Sequence, residues 1–265
     1  MPAIDLARLT REVERLEGLF ASPGELRRAT LDVLEFYAQR ARRAPVGVEG
    51  TSGERALDVP PPVVRAIGAG LQTQARREPP AALPVATALW EASERQARLL
   101  ACWVLSALPQ EQVAAWLEER AGDLEDPVVL AAAVDRGLEA WRRANGQAYV
   151  AQLDLWIASP RSAVQALGLQ ALEAGLDLPE LEDLQHAFQA LARLPRPVRG
   201  EARRSLESVL TCLADRSPAE TTRFLLEEIE RKAPGVEKLV RSMAGRLPPV
   251  QRERLTAALG AATRK

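Results

Sequence analysis

Apolar positions recur every three or four residues along almost the whole chain. Clear examples are Val164, Leu167, Leu169 and Leu172 and, further on, Leu206, Val209, Leu210 and Leu213. This spacing places the apolar side chains on one face of a helix. β-Branched and aromatic residues are sparse, whereas Ala, Leu, Glu and Arg dominate, which disfavours strands. The pattern therefore predicts an all-α fold.

Proline and capping residues mark the predicted helix starts. Asp126-Pro127, Ser159-Pro160 and Ser217-Pro218 each place a capping side chain before a proline, which the first turn of a helix tolerates. The predicted helices span 4–20, 24–43, 61–76, 80–91, 94–107, 110–121, 127–144, 146–157, 160–175, 179–193, 198–214, 218–232, 235–246 and 248–260. Short connections make successive helices antiparallel, so they form either a HEAT-type α-solenoid or a compact bundle.

Residues 44–60 contain three glycines and show no helical period. They predict a long, flexible loop inside a single domain that spans residues 1–265. Loops of this length are often functional and also tolerate insertions, and the sequence leaves both alternatives open.

Composition narrows the possible chemistry. Hydrophobic residues make up 47% and charged residues 27% of the 265 positions, which is typical of a soluble globular chain. No apolar run approaches the ~18–20 residues of a membrane span, and no signal peptide is visible, so we expect a cytoplasmic protein without a membrane partner. Two cysteines and one histidine favour neither a disulfide framework nor a metal site, and no cofactor is predicted.

The formal net charge is −1, but the charges are distributed unevenly along the chain. Residues 109–192 carry 5 basic and 14 acidic side chains, a net charge of −9, whereas residues 193–265 carry 16 and 9, a net charge of +7. A basic C-terminal third is one signature of nucleic-acid binding. Charges of alternating sign on solvated helix faces are the other interpretation.

Several segments resemble the bacterial DNA alkylation repair proteins, the HEAT-like-repeat alkylpurine DNA glycosylases. Leu-Asp-Val-Pro-Pro-Pro-Val-Val-Arg at 57–65 is similar to the family's Leu-Gly-Val-x-x-Pro-x-x-Arg segment. Residues 88–105 contain a Leu-Trp pair followed by Glu-Arg, as in the family, and Trp-Ile-Ala-Ser at 156–159 and residues 206–226 follow in order. The resemblance spans about residues 20–245.

This resemblance implies a HEAT-like α-solenoid, a right-handed superhelix of antiparallel helix pairs whose concave face holds duplex DNA. It also implies a catalytic aspartate, which stabilises the cationic sugar as the alkylated base leaves. Asp135 matches that aspartate, but Ala131 stands where the family's Trp-x-x-x-Asp segment has tryptophan. Ser208 replaces a second tryptophan, and Ala166 replaces an arginine.

The remaining candidates are basic side chains that could contact phosphates. The predicted DNA-binding residues are Arg142, Arg143, Arg161, Arg203 and Arg204, with Arg196 and Arg199 as further candidates. Salt bridges on solvated faces are the alternative role for each of them. The five tryptophans, Cys102 and Cys212 are expected in the core, and His186 is expected to lie at or near the surface.

Three functions remain open. The first is a protein of the DNA alkylation repair family that binds a DNA duplex, with weak or absent alkylpurine excision because Asp135 lacks its aromatic neighbours. The second is a non-enzymatic HEAT-repeat scaffold that binds a protein partner. The third is an active glycosylase whose aromatic side chains come from other positions.

Overall fold

The computed structural model describes residues 5–42, 58–92 and 94–262. All the regular structure in these ranges is helical and no strand occurs in them, so the prediction of an all-α fold is confirmed. The chain divides into two compact units. The N-terminal unit comprises Met1–Leu117 and Asp126–Arg143, and the C-terminal unit comprises Glu118–Glu125 and Ala144–Lys265.

The first eight helices form most of the N-terminal unit. They are α1 (Leu6–Gly18), α2 (Pro23–Arg42), α3 (Pro61–Arg77), α4 (Pro79–Trp90), α5 (Arg95–Leu105), α6 (Gln110–Glu119), α7 (Pro127–Ala132) and α8 (Glu139–Ala144). Alternate helices stack on each other: α3 packs on α1 and α5, and α4 packs on α2. The Trp90 and Trp116 rings meet edge to face at 5.0 Å between α4 and α6. Both rings belong to the core, as predicted.

A glycine allows α3 and α5 to approach closely. A Cβ atom at Gly68 would lie 2.6 Å from the ring of Trp103, well inside van der Waals contact. The ring therefore packs against backbone that carries no side chain at this point. The guanidinium of Arg136 lies over the same ring, 3.9 Å from its centroid.

The single helix predicted over 127–144 is wrong. A π-helical turn, Ala133–Gly137, separates α7 from α8. The Asp126 carboxylate accepts a hydrogen bond from the Val128 N–H at 2.8 Å, so the predicted cap of α7 is confirmed. The apolar run from Leu130 to Val134 shows no periodicity, so the sequence gives no sign of the wider turn.

Seven helices form most of the C-terminal unit. They are α9 (Gly146–Ile157), α10 (Ser162–Gly175), α11 (Gln185–Arg193), α12 (Gly200–Arg216), α13 (Pro218–Glu230), α14 (Val236–Ala244) and α15 (Pro249–Ala262). α10 packs on α9 and α12, and α13 packs on α12, α14 and α15. The predicted helix 179–193 starts later, because a short 3₁₀ turn at Pro179–Leu181 precedes α11.

Helices α10 and α12 run parallel to each other. At their starts, the Ser162 hydroxyl donates to the carbonyl oxygen of Arg199 at 3.1 Å. At their ends, Arg216 donates to the carbonyl oxygen of Leu176 at 2.7 Å. The start of α12 also touches the start of α14, since Arg203 Nη1 donates to the Gly235 carbonyl oxygen at 3.4 Å. The N-terminal ends of α10, α12 and α14 therefore lie along one edge of the C-terminal unit.

Two further expectations concern the chain as a whole. The predicted loop 44–60 falls mostly outside the described residues, which resume at Asp58. Among the described helices, none combines the length and the apolar character that a bilayer crossing requires.

Candidate nucleic-acid interface

Asp135 lies exposed on the π-helical turn of the N-terminal unit. It forms no ion pair with any described residue. Ala131, four residues earlier, supplies no aromatic surface, and the nearby Trp103 ring is occupied by Arg136 and by the backbone at Gly68. The structure therefore gives Asp135 no aromatic neighbour on its own turn of helix.

The predicted arginines of α8 have different environments. Arg143 is exposed and forms an ion pair with Glu139, Nη2 to Oε1 2.7 Å. Arg142 is half-buried, and its Nη1 atom has no hydrogen-bond partner within the described ranges. Both belong to the N-terminal unit, whereas Arg161, Arg203 and Arg204 belong to the C-terminal unit.

Arg203 and Arg204, in the first turns of α12, are engaged by carboxylates on the same helix. Arg203 Nε donates to Glu207 at 2.5 Å, and Arg204 Nε donates to Glu201 at 2.9 Å. Arg203 is also largely buried, with 16% of its side chain exposed. These contacts correspond to the salt-bridge alternative for the two arginines, and their role as phosphate contacts stays a prediction.

Four other cations lie along the edge where α10, α12 and α14 begin. Arg161 and Arg199 are the N-cap residues of α10 and α12, and Lys232 and Lys238 flank the start of α14. All four are exposed, and none forms an ion pair within the part of the chain that the structure describes. We call these four residues the basic edge. Of them, the sequence prediction named only Arg161 and Arg199.

The two arginines occupy N-cap positions without capping their helices, as do the N-cap residues of several other helices. N-caps favour Ser, Thr, Asp or Asn, whose side chains accept a hydrogen bond from the first turn. Asp5 and Asn145 cap α1 and α9 in this way, but Arg161 and Arg199 make no side-chain cap. The helix predicted to start at Pro160 starts at Ser162, because the Arg161 N–H bonds to the Ser159 hydroxyl at 3.2 Å in the preceding turn.

Lys232 adopts a left-handed backbone conformation with φ 53°. Its N–H donates to the Ile229 carbonyl at 3.0 Å, and the Ala233 N–H donates to the Glu228 carbonyl at 3.1 Å. This pair of bonds is a Schellman motif, and Lys232 occupies the position that usually holds glycine. A residue with a side chain is less stable than glycine in this conformation.

A cavity of about 600 Å³ lies between α13, α14 and α15, next to the basic edge. Lys232, Lys238 and Arg241 line it together with the apolar side chains of Ile229, Val236 and Leu259. Lys232 and Lys238 belong to both features. The cavity and the basic edge therefore adjoin within the C-terminal unit, and the Glu237 carboxylate also lines the cavity.

The structure also forms a polar cluster that sequence spacing did not reveal. His186 Nε2 on α11 lies 3.0 Å from Asp154 Oδ2 on α9, and Arg193 Nη1 lies 3.4 Å from the same oxygen. His186 and Arg193 follow Asp154 by 32 and 39 positions, so the contacts join α9 to α11 across the intervening helix α10. His186 is half-buried, as expected, and the cluster connects the two helices.

The thiols do not offer a reactive nucleophile. Burial raises the pKa of Cys102 to about 12 from an ordinary value of 9.0. Burial, together with the neighbouring Glu173 and Asp215 carboxylates, also raises the pKa of Cys212. Among the described residues, no group of three or more His, Cys, Asp or Glu side chains is arranged to hold a metal ion.

Comparison with known proteins gave no match: no family model fits the chain, and no curated protein or solved structure is significantly similar to it. The resemblance to the DNA alkylation repair family therefore stays a prediction that rests on the segments quoted above.

Proposed function

We propose that this protein binds nucleic acid, with duplex DNA as the first candidate, through the basic edge of its C-terminal unit. The observation that carries the proposal is that Arg161, Arg199 and Lys238 lie exposed at the starts of three neighbouring helices. Lys232 lies just before the third start, and none of the four cations forms an ion pair with a described residue. A helix start carries a partial positive charge and N–H groups that suit a phosphate. The cations and the helix starts therefore both attract phosphate at this edge.

The spacing of the helices suits a polyanion better than a single small anion. Packed helices lie about 8–10 Å apart, so successive starts along the edge are separated by roughly that distance. Each start then faces a different phosphate of one backbone. Contacts of this kind carry no sequence information, so we expect binding that depends on salt and tolerates any sequence.

The proposal includes a specific helix arrangement, the HEAT-like α-solenoid. Alternate helices stack in both units, as α3 does on α1 and α5, and α10 runs parallel to α12. This arrangement supports a HEAT-like α-solenoid, and the right-handed superhelix of the DNA alkylation repair family stays part of the same proposal.

Base excision is proposed to be weak or absent. The positions matched to the family's aromatic and basic site residues hold Ala131, Ser208 and Ala166, which supply neither stacking nor charge. The test is release of methylated purines from alkylated DNA by the wild-type protein and by Asp135→Asn. Release that is abolished in the variant would overturn this part of the proposal and restore the active-glycosylase alternative.

The test of binding is fluorescence anisotropy of a labelled duplex at about 50 and 200 mM salt. Each lost phosphate contact lowers the slope of log affinity against log salt by about one. We therefore expect Arg161→Gln/Arg199→Gln to weaken binding and to lower that slope by about two. The matched control is Arg76→Gln/Arg77→Gln, which removes the same charge from exposed positions at the end of α3.

Two results would contradict the proposal: no binding at low salt, or equal losses in the edge variant and its control. Either result would favour the scaffold that binds a protein partner. Among the described residues, the large apolar side chains that are exposed lie on four different helices: Leu6, Val128, Leu155 and Val250. Single exposed apolar residues are ordinary on protein surfaces, so they do not favour the scaffold.

A further inference from the structure

The cavity between α13, α14 and α15 combines apolar walls with a cationic rim. Its volume of about 600 Å³ lies within the range of roughly 300–1,000 Å³ that small-molecule sites occupy. Ile229, Val236 and Leu259 offer van der Waals contact to a compact organic body. An isolated inorganic anion would leave these walls unfilled, so the occupant carries an apolar or aromatic part in addition to its charge.

The charge at the rim indicates the kind of anion. Lys232, Lys238 and Arg241 contribute three positive charges, and the Glu237 carboxylate, 3.3 Å from Arg241 Nη2, offsets one of them. The remaining two charges match a phosphate monoester, which carries about −1.5 to −2 at pH 7. A phosphodiester within a strand carries only one negative charge and is matched less well.

The position of the cavity relates it to the basic edge. Lys232 and Lys238 line the cavity and also belong to that edge. A strand that follows the edge reaches the cavity at one end, where a terminal phosphate and its nucleoside can enter. A free nucleotide presents the same chemistry without a strand.

We propose that this cavity binds a phosphate monoester of nucleoside size, either a free nucleoside monophosphate or the 5′-phosphorylated end of a nucleic-acid strand. The strand-end form of this proposal rests on the proposed function, whereas the free-nucleotide form does not. Arg241 has five N–H donors, so it can bind the phosphate while it stays paired with Glu237.

The first experiment is calorimetric titration with adenosine monophosphate and with adenosine, the same molecule without its phosphate. We expect the monophosphate to bind at least about tenfold more tightly, because only it engages the rim. Arg241→Gln should weaken its binding by about tenfold, whereas Glu237→Gln should strengthen it by removing a repelling carboxylate. Arg254→Gln, an exposed change on α15 outside the cavity lining, should have no effect.

The second experiment compares duplexes that carry 5′-phosphate or 5′-hydroxyl ends. Tighter binding of the phosphorylated duplex, lost in Arg241→Gln, identifies the strand end as the source; monophosphate binding without this preference identifies the free nucleotide. Equal binding of adenosine and adenosine monophosphate, or binding of neither, overturns the proposal. Because Arg161→Gln/Arg199→Gln leaves the cavity lining intact, its effect on duplex binding reports on the proposed function independently.

Discussion

Arg196 and Glu228 form a buried ion pair between the segment that precedes α12 and helix α13. Arg196 Nη2 and Nε lie 2.7 and 2.9 Å from Glu228 Oε2, and only 4% of the Glu228 side chain is exposed. Arg196 Nη1 also donates to the Leu194 carbonyl oxygen at 2.6 Å. This arginine was a candidate phosphate contact from sequence, and the structure instead places it in the interior.

Arg196→Met should lower the free energy of unfolding, because it leaves the buried Glu228 carboxylate with Arg231, at 3.2 Å, as its remaining ion-pair partner among the described residues. Loss of one member of a buried pair costs about 3–5 kcal/mol. Urea denaturation followed by circular dichroism would measure it. The control is Arg193→Met, which breaks an exposed pair with Asp154 and should cost less than about 1 kcal/mol. The double variant Arg196→Met/Glu228→Leu should recover much of the loss, and a loss as large as that of the single variant would contradict this account.

Lys232→Gly should stabilise the protein and weaken nucleic-acid binding at the same time. Glycine removes the steric strain of the left-handed backbone at this position, which costs other residues about 1–2 kcal/mol. Its greater conformational freedom in the unfolded chain offsets part of this stabilisation. The same change removes one cation from the basic edge. Thermal unfolding and the anisotropy titration measure the two effects. Lys232→Gln serves as the control, since it should reproduce the loss of affinity with unchanged stability.

Gly168→Ala should destabilise the C-terminal unit. An added Cβ would lie 2.7 Å from the Ile157 backbone nitrogen and 2.8 Å from the Trp156 Cβ, so α9 and α10 would have to separate. We expect a loss of about 1–3 kcal/mol, as for other overpacked cores. Gly24→Ala is the matched control: nothing lies within 4 Å of its Cβ position in α2, and it should stabilise by about 0.5–1 kcal/mol. Equal effects in denaturant would show that α9 and α10 do not depend on this contact.

Stability should fall in alkaline solution because of Cys102. Its thiol has a pKa of about 12 in the folded protein, against an ordinary value of 9.0, since burial opposes the thiolate. The raised pKa stabilises the folded state fully below pH 9, and this contribution is lost as pH rises from 9 towards 12. Urea titrations across this range should show a steeper decline in the free energy of unfolding for the wild type than for Cys102→Ala. Parallel declines in the two proteins would exclude Cys102 as the cause.

Helical periodicity was sufficient to predict the fold class, because each helix buries a regular apolar face. The interruptions were not predictable from it. The apolar run 130–134 gives no sign of the π-helical turn that contains Asp135. Lys232 occupies the Schellman position of α13, where a glycine would have indicated the motif from sequence. Both depend on local backbone geometry that composition does not record.

The candidate site was only partly predictable. Sequence reasoning selected arginines by local density, which favoured Arg203 and Arg204, but neighbouring glutamates on α12 engage both. Arg161 and Lys238 are far apart in sequence and lie on the same edge only because α10, α12 and α14 begin side by side. Which cations remain unpaired depends on tertiary packing, and one sequence does not reveal it.

The adjoining starts of α10, α12 and α14 have a consequence for the unbound protein. The partial positive charges at these three helix starts repel each other and repel the cations beside them, and mobile ions weaken this repulsion. Salt should therefore stabilise the free protein while it weakens nucleic-acid binding. Folding and the proposed binding then have opposite ionic-strength optima, and we expect the unbound protein to unfold most easily in the dilute buffers that would favour the complex.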